Sequence, residues 1–180
     1  MVAEGNEKFD SRNNCNAIIW VGNGRFSTYL VVGCANTVIP DDVEMICSDA
    51  FSGSGITEIE IPDNVKNISS EAFMDCKELT RVVIPDSITT IESRTFKGCV
   101  KLTHVEIPAG TTKIGLYAFL DCTNLKEVIL PAGIKQMGEK GYNRMFYCFE
   151  RCTALESIKV PAKKADYYKR RLSEKLHQFI

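Results

Sequence analysis

Histidine is scarce in this chain. Only His104 and His177 occur among 180 residues, far apart in sequence. Nucleophilic hydrolysis wants a base beside its nucleophile, so a histidine-driven catalytic set has almost no material here. Paired metal-ligand spacing is also missing. The eight cysteines stand at 15, 34, 47, 76, 99, 122, 148 and 152 without one Cys-x-x-Cys, and Cys148-x-x-x-Cys152 is only a distant relative of a zinc motif. No apolar run approaches the roughly 18–20 residues of a membrane span. An excess of one charge is absent as well, with Lys plus Arg at 22 against 23 for Asp plus Glu, whereas nucleic acid would want a strongly basic face. The first residues, Met1-Val-Ala-Glu-Gly-Asn-Glu-Lys8, lack the apolar stretch of a secretory signal. That leaves either a cytosolic protein or a chain whose signal has been removed.

What is present is a repeat, and self-similarity of this kind outranks any local reading. Ile-Pro or a close variant occurs at Ile39-Pro40, Ile61-Pro62, Ile84-Pro85, Ile107-Pro108, Leu130-Pro131 and Val160-Pro161, with proline intervals of 22, 23, 23, 23 and 30. Phe51, Phe73, Phe96 and Phe119 each follow a proline by 11 residues, and Phe149 continues the series after an insertion. Three residues beyond Phe stand Cys76, Cys99, Cys122 and Cys152, and three beyond those Leu79, Leu102, Leu125 and Leu155. In Leu79-Thr-Arg-Val82-Val-Ile84-Pro85 the apolar residues alternate, which predicts a short strand that proline ends by removing a ladder donor. Stacking the units sets Val82 beside Val105 and Ile84 beside Ile107, a core no single unit could bury. The phenylalanines close its other side, and the cysteines beside them read as small buried hydrophobes, reduced and structural. Cys148, in the alanine slot before Phe149, has the same explanation. Cys15 and Cys34 are the one pair to consider for a bridge.

The pattern Ile-Pro-x-x-Val-x-x-Ile-x-x-x-Ala-Phe-x-x-Cys-x-x-Leu-x-x-Val resembles the BspA-like leucine-rich repeats, found in surface proteins of Bacteroides-type bacteria and in some parasitic protists. The likeness covers residues 38–161, and the stretch from Phe9 to Ile19 is similar to the lead-in such proteins carry. The resemblance implies an α/β repeat solenoid: a right-handed leucine-rich-repeat coil of short parallel strands. It implies no enzymatic activity and no cofactor, a role in adhesion or protein binding, and a place at the cell surface or outside the cell. It transfers no defined ligand site.

Three parts are expected: a lead-in and β-hairpin cap over 1–37, five repeats over 38–161, and an amphipathic capping helix over 162–180. Gly22-Asn23-Gly24 between two apolar, β-branched runs is a hairpin signal, and Trp20 is expected to pack over the first coil. Ala165, Tyr168, Leu172, Leu176 and Phe179 recur at helical spacing. Residues 162–180 hold six Lys or Arg and two Asp or Glu, a local charge of +4 that leaves −5 on the remainder. A basic amphipathic helix could meet a membrane surface, but an open coil end needs covering, and capping is the expected role.

Two candidate binding surfaces emerge. Outward strand positions present Glu58, Glu60, Arg81, Val83, His104, Glu106, Glu127, Ile129, Ser157 and Lys159. A paired-carboxylate glycosidase drawn from Glu58, Glu60, Glu106 and Glu127 is rejected, because a narrow row of strands offers no deep pocket. The 30-residue interval adds a segment over 139–147 containing Tyr142, Arg144, Met145, Phe146 and Tyr147, types enriched at interfaces. A protein partner is the primary expectation. A glycan stacked on Tyr142, Phe146 and Tyr147 is the alternative.

Overall fold

The computed structural model describes residues 9–10, 17–21, 28–138, 147–170, 172 and 174–180. The chain enters through β1 (Phe9–Asp10) and β2 (Ile18–Trp20), paired antiparallel, and β2 pairs antiparallel with β3 (Thr28–Val32). Gly22-Asn23-Gly24 lies outside the described residues, but the strands flanking it pair as a hairpin should. Trp20 stacks on its cross-strand neighbour Tyr29, with ring centroids 5.0 Å apart. β3 also pairs parallel with β4 (Val43–Ile46), so the last hairpin strand is the first strand of the coil.

From β4 onward the chain winds as a solenoid with two short strands per turn. One column holds β4, β6 (Asn67–Ile68), β8 (Thr90–Ile91), β10 (Lys113–Ile114) and β12 (Gln136–Met137). The other, just ahead of each Ile-Pro, holds β5 (Glu58–Glu60), β7 (Arg81–Val83), β9 (His104–Glu106), β11 (Glu127–Ile129) and β13 (Ser157–Lys159). In that second column the central residues Ile59, Val82, Val105, Val128 and Ile158 are buried while their neighbours point outward, the alternation of a half-buried strand. All pairings within both columns are parallel.

The third side carries the Ala-Phe-x-x-Cys segment. Phe51, Phe73, Phe96, Phe119 and Phe149 form one continuous ring stack with centroid spacings of 4.9–5.4 Å. Backbone bonds Phe51 N–H to Ala72 O, Phe73 to Thr95, Phe96 to Ala118 and Phe119 to Cys148, all 2.8–2.9 Å, run unbroken beside it. Each thiol of Cys76, Cys99, Cys122 and Cys152 donates to the carbonyl of a phenylalanine one coil back, at 3.0–3.2 Å. Cys148 is buried as well and donates to Gly115 O at 3.3 Å. Cys15, half of the pair considered for a bridge, lies outside the described residues.

The strand ladders are not continuous: β7 and β9 are not ladder partners, nor are β6 and β8. Val82 is laddered to Ile59 and Val105 to Val128, while β7 and β9 pack together in the same apolar column without ladder bonds. Strands of two or three residues carry few bonds each, and the unbroken phenylalanine side already fixes the coil spacing, so a seam costs little. One expectation needs correcting, at the C-terminus. The single helix expected over 162–180 is three short pieces, a 3₁₀ turn at Ala162–Lys164, α1 (Ala165–Lys169) and a 3₁₀ stretch at Glu174–Phe179. An isolated helix of this length is marginal, and docking decides its shape. Tyr168 and Leu172 are buried, Leu176 and Phe179 pack on the core, and the Tyr167 and Tyr168 hydroxyls donate to Ile134 O and Pro131 O. Adjacent side chains that both bond to the coil hold α1 against it.

Candidate functional site

The ten outward residues do form a ribbon, and register fixes their neighbours. Glu58 stands beside Arg81 and Glu60 beside Val83. Across the seam, His104, Glu127 and Ser157 share one row, and Glu106, Ile129 and Lys159 the next. The structure thus brings the predicted residues together in two groups. In the C-terminal group the Glu127 carboxylate takes Lys159 Nζ at 2.5 Å and His104 Nδ1 at 3.1 Å. Lys159, with a smaller contribution from His104, holds the Glu127 carboxyl below its usual range. In the N-terminal group Glu58, Glu60 and Arg81 are exposed, and none forms an ion pair among the described residues.

At the seam the face opens into a groove of about 710 Å³. Arg81, Val83 and Asp86 line one wall, and His104, Glu106 and Pro108 the other. A smaller hollow of about 430 Å³ adjoins it, lined by Asp41, Glu60, Asp63 and Asn64 and sharing Val83. The turns after the prolines are tied from coil to coil, Asn64 Nδ2 donating to Asp41 O and Ala109 N–H to Asp86 Oδ1 at 3.3 Å. Sequence reasoning missed these turn residues. The signal was in the position after proline, which reads Asp41, Asp63 and Asp86 in the early repeats and Ala109 and Ala132 in the later ones.

Of the inserted segment, Tyr142, Arg144, Met145 and Phe146 lie outside the described residues. Tyr147 is described, half-buried, its ring 5.2 Å from that of Tyr117 at an interplanar angle of 51°. Among the described residues, no helix is long and apolar enough to cross a membrane.

The repeat columns and the coil they build find a direct counterpart. The model of the BspA type leucine rich repeat region matches residues 25–146 in six copies. The chain belongs to this family. The first copy starts ahead of Ile39-Pro40, in keeping with β3 already running in the coil. Among solved structures, a leucine rich cell surface protein from Faecalibacterium prausnitzii A2-165 is similar over 90% of this chain and 42% of its own, at 24% identity and a TM-score of 0.78. A leucine-rich repeat protein from Bacteroides ovatus is 28% identical over 81% of this chain and 46% of its own, with a TM-score of 0.65. The leucine-rich repeat protein of T. pallidum is 24% identical, with a TM-score of 0.70, over 79% and 68% of the two chains. This chain therefore spans less than half the length of the first two. No curated protein compared with it matches. The fold is that of a leucine-rich-repeat solenoid.

Proposed function

We propose that the chain is a non-enzymatic protein-binding module that meets its partner with the strand face and serves in adhesion at a cell surface. The observation that carries this reading is the registered ribbon itself. It sets half-buried Val83 and Ile129 among charged side chains over one contiguous packed core, the mixture of apolar anchor and polar rim that partner surfaces use. That the F. prausnitzii relative of the same fold is a cell surface protein supports the location. The test is capture from bacterial and host-cell extracts, with bound proteins identified by mass spectrometry. The double variant Val83→Arg/Ile129→Arg should lose a partner that the charge-matched Asn67→Arg/Thr90→Arg, on the other strand column, retains. Equal retention by both would refute the strand face as the binding surface.

A second reading, glycan recognition by the 139–147 segment, is favoured by the tilted Tyr117–Tyr147 pair at its edge, since an aromatic face suits a sugar ring. Binding on a glycan array that is unchanged in Tyr142→Ala/Tyr147→Ala would remove that reading.

A further inference from the structure

The seam between β7 and β9 combines three observations. First, it is a break in the strand ladder, where β7 and β9 pack against each other without bonding. Backbone bonds run from Thr80 N–H to Thr57 O and from Lys126 N–H to Thr103 O, yet Thr103 N–H and Thr80 O have no partner among the described residues. Both residues line the groove. Second, the groove has an apolar floor made by Val83 and Pro108. Third, its charge is one-sided. Asp41, Glu60, Asp63, Asp86 and Glu106 border the groove and its adjoining hollow, all exposed. None is in an ion pair among the described residues, and Arg81 is the one lysine or arginine lining either space. Elsewhere on the coils Glu71, Glu78, Glu92, Asp121, Glu127 and Glu156 each meet a cation of their own chain, while Glu44, Asp49, Asp75 and Glu150 stand scattered without an ion pair among the described residues.

Carboxylates left unmatched around an apolar floor suit a partner that brings the missing cations, because complementary charge steers encounter and fixes register. A groove that runs over the outward residues of two neighbouring strands suits an extended main chain lying across them. We propose that this groove docks an extended segment of a partner protein in which lysine or arginine alternates with small apolar residues. An apolar side chain sits on Val83 and Pro108, and its cationic neighbours reach Glu60 and Asp63 on one side and Asp86 and Glu106 on the other. This inference rests on the strand-face reading and narrows it to the chemistry of the occupant.

The test uses the full chain and a fluorescent decapeptide alternating Lys and Ala, read by anisotropy, with a Glu-Ala decapeptide as counterpart. The Lys-Ala probe should bind and weaken as salt rises from about 0.05 to 0.3 M. Glu60→Gln/Glu106→Gln should weaken it at least about tenfold, while the charge-matched Glu44→Gln/Glu150→Gln, away from the groove, should change it less than about twofold. Equal losses in the two variants would mean diffuse attraction to an acidic body and would overturn the proposal. Binding of the Glu-Ala probe as tightly, or no Lys-Ala binding at about 1 mM, would overturn it too. Hydrogen exchange separates this failure from that of the broader reading. With the partner captured above, protection confined to β11 and β13 overturns the groove and leaves the strand face standing. Protection absent from β5, β7, β9, β11 and β13 alike overturns both.

Discussion

Phe96 sits in the middle of the ring stack, fully buried between Phe73 and Phe119. Phe96→Ala should cost about 3–5 kcal/mol, checked by urea unfolding, because coils locked on both sides cannot collapse into the void. The thiols beside the stack give the fold a pH limit. Burial pushes Cys148 and Cys152 up to about 12 from an ordinary 9.0. Cys122 is also raised by burial, and Cys99 chiefly by the neighbouring Cys76 thiol, which is itself lowered. Above pH 9 the unfolded chain releases protons that the folded chain keeps, so unfolding gains and stability falls as pH climbs toward 12. Urea midpoints measured across that range should drop, and Cys148→Ala should flatten the decline. The sequence showed the cysteine slot and its burial. It could not show that each thiol donates to a carbonyl one coil back, since that bond depends on the offset between coils.

At the scale of the element, each coil turns through left-handed backbone at two recurring positions. One runs through Asp75, Gly98, Asp121 and Arg151, all at positive φ. Gly98 also faces Asp75, whose Oδ1 would lie 2.1 Å from an added Cβ. Gly98→Ala should therefore destabilise by at least about 1–2 kcal/mol, seen as a lower melting temperature. Strand positions were legible because Leu79-Thr-Arg-Val82-Val-Ile84 alternates and proline stops it. The seam was not legible, because Arg81 and His104 occupy the same slot and nothing in their identity says which neighbouring strands bond. The C-terminal stripe was legible as a buried face, with Tyr168 and Leu172 inside as their spacing implied. Its breakage into short pieces was not, because the path of so short a segment is set by where it docks on the last coils. Tyr168→Phe removes one such bond and should cost about 1 kcal/mol, with faster amide exchange in residues 165–180 than in the coils.

For the whole molecule, the ends matter as much as the repeats. The last coil presents Leu155 and Ile158, which the C-terminal segment helps to cover. A chain stopped at Pro161 should melt earlier and self-associate in sedimentation, since a solenoid without its polar cap exposes core. The N-terminal end is closed differently. β3 bonds antiparallel to β2 and parallel to β4, so the cap joins the array by the same kind of rung that joins one coil to the next. The array can therefore lengthen or shorten by in-frame duplication or loss of a 23-residue unit in its middle, without touching either terminus. Each added unit would extend the outward ribbon by one strand spacing, about 4.8 Å, with two further side chains free to vary. In a molecule built this way, copy number sets the reach of the recognition surface, and point substitution only edits what is written on it.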